Sequence, residues 1–104
     1  MSPLEKRRPT YDLEAIKAAF DRPEKLRATT TAIRSARALG FTPTDIVAAI
    51  QSIARSHFYK SMPSYGDHRV WQDVYHAPHE NLVLYVKFTA DHIAEFTLLS
   101  FKEK

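Results

Sequence analysis

The spacing of apolar residues changes once along this 104-residue chain, near Ser56, and that change constrains the fold more than any other feature. Before it, apolar side chains recur every three to four residues, which gathers them on one stripe of a helix. After it they alternate, as in a strand with one buried face. No repeat, low-complexity tract or linker separates the two halves. Residues 1–104 are therefore expected to form a single α+β domain, with a helical N-terminal half packed on an antiparallel sheet.

In the first half, Leu13, Ile16 and Phe20 share a face of a helix predicted from Tyr11 to about Phe20, capped by Thr10 and ended by Arg22-Pro23. A second helix starts in the Thr29-Thr30-Thr31 run and turns Ile33, Ala36 and Leu39 inward. It stops at Gly40, one of two glycines, which suits a left-handed cap. A third opens with Thr42 as cap and Pro43 in the first helical position. Its Ile46, Val47, Ile50 and Ile53 form a buried stripe opposite Asp45, Gln51 and Arg55.

In the second half, FYKSM, RVWQDVY, LVLYVKFT and AEFTLLSF read as four strands of a meander. A turn at Ser64-Tyr65-Gly66-Asp67, a loop from Pro78 to Asn81 and a two-residue turn at Asp91-His92 separate them. The period of two sends Leu82, Leu84, Val86 and Phe88 to the core, and Val83, Tyr85, Lys87 and Thr89 to the other face. With that last turn, Tyr85 pairs with Leu98 and Lys102 joins the face of Tyr85 and Lys87. A slip of one residue would reverse this. Leu99 and Phe101 are expected to anchor the last strand, and Phe58, Trp71 and Tyr75 to lie in the core.

Composition removes several functional classes. No apolar stretch approaches the roughly 18 residues of a membrane helix. The N-terminal MSPLEKRRPTYDLE has no apolar segment that could act as a secretory signal, so a cytoplasmic location is expected. The absence of cysteine excludes disulfides, thiolate catalysis and Cys-ligated zinc. His76, His79 and Glu80 lie close in sequence but lack helical register and a third firm ligand, so neither a metal nor another cofactor is expected. A net charge of +3 favours a polyanionic partner.

Several uncommon strings then occur in a telling order: EKRRP, the Thr-rich helix entry, FYKSM with Tyr65 and Asp67-His68 after it, WQDVY, YVK and the final SFKEK. Over nearly its whole length the chain resembles the motility quorum-sensing regulator toxins. That resemblance implies a microbial-ribonuclease fold related to the RelE-like toxins, and ribosome-independent cleavage of single-stranded mRNA at GC-containing triplets such as GCU. It also implies an antitoxin partner with a zinc-binding and a DNA-binding module. The catalytic residues it implies are Lys60, Gln72, Tyr85 and Lys102. The chain departs from the family in the HAPHEN stretch, which lacks basic character, and in a slightly longer last hairpin.

The chemistry explains those residue types. Metal-free RNA cleavage proceeds by in-line attack of the 2′-hydroxyl on the adjacent phosphorus, so the site must supply a base, a cation and an acid. Lys60 and Lys102 can stabilise phosphoryl charge, Tyr85 can orient the 2′-hydroxyl or relay its proton, and Gln72 can hold a phosphate or base edge. Either lysine can also serve as an acid, or as a base if neighbouring positive charge depresses its pKa. Tyr59 or Tyr65 can stack on a base, Lys87 adds a cation, and His68 is a possible acid or base or a structural hydrogen-bonder in its turn. Without the resemblance, the same residues fit a non-catalytic basic module that binds RNA or a protein partner.

Overall fold

A computed structural model describes residues 5–91 and 95–104. Three α-helices, Leu13–Ala19 (α1), Thr30–Ala38 (α2) and Pro43–Gln51 (α3), precede four strands, Phe58–Pro63 (β1), Trp71–His79 (β2), Leu82–Ala90 (β3) and Phe96–Glu103 (β4). The strands form one antiparallel sheet in the order β1-β2-β3-β4. The α+β expectation holds, and the helices fall in the first half as the spacing required.

The helix ends follow local chemistry at α2 and α3. The Thr29 hydroxyl accepts from the Ala32 N–H, and Thr42 and Asp45 cap each other reciprocally ahead of Pro43. Gly40 has φ +88°. It donates to the Arg37 carbonyl while Phe41 donates to that of Ala36, the paired bonds of a left-handed helix stop. The expected start of α1 is corrected. Asp12, not Thr10, is the N-cap, because the Thr10 hydroxyl is engaged with that of Ser61 at 2.6 Å, while the Thr10 and Tyr11 N–H groups donate to the carboxylate of Asp73 at 3.1 and 2.9 Å. Asp73 is fully buried, so its charge must be met by such donors.

In the sheet, β2 runs through Pro78 and His79, where a loop was expected, and the turn shrinks to Glu80 and Asn81, with Glu80 at φ 53°. Proline is tolerated there because β1 pairs with β2 only as far as Tyr75, which leaves that edge of Pro78 without a ladder partner. The β1–β2 connection is also longer than a turn at Ser64–Asp67. It covers residues 64–70 and is closed by Ser64 N–H to the Val70 carbonyl and Val70 N–H to that of Asp67.

The expected Asp91-His92 turn falls partly outside the described residues, but its register does not hold. Ala90 pairs with Phe96, and Tyr85 pairs with Lys102 rather than Leu98. Between Lys87↔Ser100 and Phe88↔Leu98 the register shifts, leaving Leu99 as an extra residue in a bulge. The bulge breaks the period of two, so Leu98 and Phe101 are the fully buried anchors and Leu99 is half-buried.

The core lies between helices and sheet. Leu13, Ile16 and Phe20 from α1, Ala32 and Ala36 from α2, and Ile46, Ala49 and Ile50 from α3 meet Tyr75, Leu84, Val86, Phe88, Leu98 and Phe101. Ile33 and Leu39 lie only at its margin, and small Ala32 and Ala36 let α2 approach β4 closely. Tyr75 is core and Phe58 packs against it, but Trp71 is half-buried at the sheet's end and outside the core, under the ammonium of Lys6. Chain 27–29 binds the edge of β4 through Leu98 N–H to the Arg27 carbonyl and Thr29 N–H to that of Leu98. An N-terminal arm lies along β1 through reciprocal Lys6 and Ser61 backbone bonds of 2.9 Å.

Candidate active site

With the helices on one face of the sheet, the other is open, and the register decides what meets on it. Residues directly opposite in an antiparallel pair share a face. His76 pairs with Tyr85 and Tyr85 with Lys102, so one row runs His76, Tyr85, Lys102. The next runs Lys60, Val74, Lys87, Ser100, and the third Met62, Gln72, Thr89, Thr97. Lys60, Gln72, Tyr85 and Lys102 thus come one from each strand onto a single face.

Ring and charge contacts tie this face together. A register shift between Phe58 and Lys60 brings Tyr59 onto the open side, where its ring stacks on His76 with centroids 4.1 Å apart and planes at 22°. His76 in turn meets Tyr85 at 5.9 Å. The ammonium of Lys102 lies 5.3 Å from the centroid of Tyr85, and that of Lys60 lies 5.5 Å from Tyr59. Val74, fully buried beneath this surface, gives it an apolar floor. Phe101 and the Lys104 N–H bond to the Val83 carbonyl fix the strand on either side of Lys102.

The electrostatics separate the three lysines. Lys60 donates to Glu5 at 2.7 Å, and that bond holds its pKa above the usual lysine value. Lys87 is pushed the other way, first by burial and then by the charges of Lys102 and Lys60. Burial raises the Tyr85 phenol, so it is neutral near pH 7. His76 is lowered by burial and then by Lys104, so its neutral imidazole is favoured.

Not every expected residue joins this cluster. Tyr65 and His68 stand on the exposed 64–70 loop, with Tyr65 fully exposed, beside the end that carries Gln72. The Gln72 amide donates to the Ser64 hydroxyl at 3.1 Å, which ties the loop to the sheet. A cleft of about 470 Å³ lined by Arg27, Arg69, Thr89 and Thr97 adjoins the same end. A similar one, lined by Phe41, Asp45 and His79, lies away from the face. The clustered residues occupy an open surface rather than either hollow.

Sequence reasoning missed two contributors. His76 was legible, since Gln72, Val74 and His76 alternate, but Pro78 suggested a loop and hid the strand's continuation. The arm was not. Glu5 meets Lys60 and Arg7 lies 6.0 Å from the Tyr59 ring, contacts across more than fifty residues that no local pattern announces. Among the described residues, no group of three or more His, Asp or Glu side chains is arranged to hold a metal ion.

Fold and face together define a small α+β protein whose sheet presents a preformed surface of cations and aromatic rings, suited to phosphate and base. The chain belongs to the motility quorum-sensing regulator toxin family, whose model, described as "Motility quorum-sensing regulator, toxin of MqsA", matches residues 8–103. It is also similar to the mRNA interferase toxin MqsR of Escherichia coli (strain K12), with 36% identity over 101 residues, 97% of this chain and the whole of that relative.

Proposed function

We propose that this chain is the toxin of a toxin-antitoxin pair, an endoribonuclease that cleaves single-stranded mRNA without a metal by 2′-hydroxyl attack. The observation that carries the reading is the convergence of Lys60, Gln72, Tyr85 and Lys102, one from each strand, on one open face. Family membership and the similar mRNA interferase support it. Single-stranded RNA suits such a surface, because unstacked bases can lie on aromatic rings while phosphates meet cations.

The roles follow from charge state. Lys60, kept protonated by Glu5, and Lys102, beside Tyr85, stabilise the charge that builds on the attacked phosphate. Tyr85 orients the 2′-hydroxyl, and Gln72 holds a phosphate or base edge. Lys87, whose proton is held more loosely than that of an ordinary lysine, donates it to the leaving 5′-oxygen. The relation to RelE-like ribonucleases, independence of the ribosome, preference for GC-containing triplets such as GCU, action in the cytoplasm and an antitoxin bearing zinc-binding and DNA-binding modules all belong to this proposal through family resemblance.

The test is incubation of the pure protein with a defined single-stranded RNA in EDTA. Discrete fragments ending in a 2′,3′-cyclic phosphate, or its hydrolysed form, are expected. Ends bearing 3′-hydroxyl and 5′-phosphate would mean that water attacks instead. Binding without cleavage would make the protein a basic module acting by occupancy.

A further inference from the structure

We propose that His76 is the general base that takes the proton of the attacking 2′-hydroxyl, a role that rests on this chain being a metal-independent ribonuclease. The reaction needs a group that is unprotonated near neutral pH and beside the reacting phosphate. The Glu5 carboxylate keeps Lys60 charged, and burial keeps the Tyr85 phenol neutral, so neither is a base. His76 stands beside both, in the row that carries Tyr85 and Lys102.

Its surroundings set it apart from the other described histidines. His57 accepts the Ala54 N–H at 2.9 Å, His79 packs on Phe41, and His68 sits in the exposed 64–70 loop next to Asp67. The His76 ring is held between Tyr59 and Tyr85, while among the described residues no protein group hydrogen-bonds either of its nitrogens. Stacking fixes the plane of the imidazole and leaves its edge for a substrate. The charged and titratable groups around it are Tyr59 and Lys60 from β1, Tyr85 and Lys87 from β3, Lys102 from β4, Lys104 just beyond that strand, and Glu5 and Arg7 from the arm. Five of these are cations, and the one carboxylate is engaged by Lys60. Burial, and then the charge of Lys104, oppose a positive charge on the ring and lower the pKa of His76.

The step balances. An imidazole nitrogen takes the 2′-hydroxyl proton as the 2′-oxygen bonds to phosphorus, the bond from phosphorus to the 5′-oxygen breaks, and that oxygen takes a proton from Lys87. Return of the proton from imidazolium to Lys87 through water restores both groups. His76 and Lys87 are diagonal neighbours on adjacent strands, a relation that separates residues by about 7 to 8 Å and leaves room for a phosphoryl group between base and acid.

The test compares wild type, His76→Ala and His76→Phe in EDTA on RNA with one cleavable site. For wild type, the acid limb of kcat/KM is expected below the usual histidine value of 6.5. For His76→Ala, kcat should fall about 10²- to 10⁴-fold with little change in KM. Added imidazole should restore cleavage and move the acid limb to that of free imidazole. Phenylalanine preserves a ring between Tyr59 and Tyr85 but carries no base, so His76→Phe should stay folded, stay slow and resist rescue. Near-wild-type cleavage by either folded variant overturns the proposal, as does a slow His76→Ala that imidazole does not rescue. If His76→Ala fails to fold, the rate of His76→Phe decides. A wild-type protein that cleaves nothing would instead refute the ribonuclease reading itself.

Discussion

At the scale of single residues, the open face shows how one neighbour changes a side chain's chemistry. Three lysines share the face, yet Lys60 is locked in its charged form by Glu5 while Lys87 is crowded by two cations and partly desolvated. The family strings set Lys60 and Lys102 apart from Lys87, and the arm at Glu5 then separates Lys60 from Lys87 in charge state. Lys102 depends least on burial, since its side chain is exposed and its ammonium lies 5.3 Å from the centroid of Tyr85. Lys102→Ala should therefore cost about 10²- to 10³-fold in cleavage rate, the usual loss for one charge-stabilising group. An exposed position contributes under about 0.5 kcal/mol to stability, so its melting temperature should stay within a few degrees of the parent. An active Lys102→Ala protein would remove the residue from the site, and an unfolded one would make its role structural. Induction of an inactive variant should also leave cells growing where the parent arrests them.

At the scale of elements, both ends of α2 and the start of α3 were legible because a helix start or stop is decided within a few residues, whereas α3 stops at Gln51, short of the Ile53 and Arg55 that periodicity assigned to it. Gly40 is the clearest case. A Cβ built there meets nothing within 4 Å, so the obstacle to a larger residue is φ +88° alone. Gly40→Ala should destabilise the protein by about 1 to 2 kcal/mol, the cost of a left-handed conformation for an L-residue, with cleavage by the remaining folded protein unchanged. Denaturant unfolding and a rate measured at low temperature separate the two effects. A variant as stable as wild type would mean that the stop can form without positive φ. The start of α1 and the bulge in β4 were not legible, for a common reason. Thr10 had the chemistry of a cap, but Ser61, fifty-one residues away, claims its hydroxyl. Alternation placed Leu99 in the core, but the ladder absorbs it as an extra residue. Without that bulge, the pairing set at Phe88↔Leu98 would bring Phe101 opposite Tyr85 and turn Lys102 toward the core.

At the scale of the molecule, the open face concentrates positive charge supplied by β1, β3, β4 and the arm, although the net charge is only +3. RNA binding should be strongly salt-dependent, with log K falling by about 0.7 per phosphate contact for each decade of salt. Arg7, exposed beside Tyr59, extends that surface. Arg7→Ala should reduce the salt slope by about 0.7, measured by titrating an RNA that carries a 2′-deoxy substitution at the scissile nucleotide. An unchanged slope would show that RNA does not reach the arm.

The sequence by itself determined the α+β class, the meander, two of three helix starts and the face of β3, because each follows from periodicity or from capping within a turn. Family-specific strings carried the catalytic expectation further than periodicity could, by naming Lys60, Gln72, Tyr85 and Lys102. Only the tertiary structure decided that Tyr85 stands opposite Lys102, that His76 lies between two tyrosines, and that Glu5 holds the charge of Lys60. Register depends on where a bulge relieves the ladder, and a charge state depends on neighbours brought from distant parts of the chain. Neither quantity is local, so neither is written in the spacing of residues along one strand.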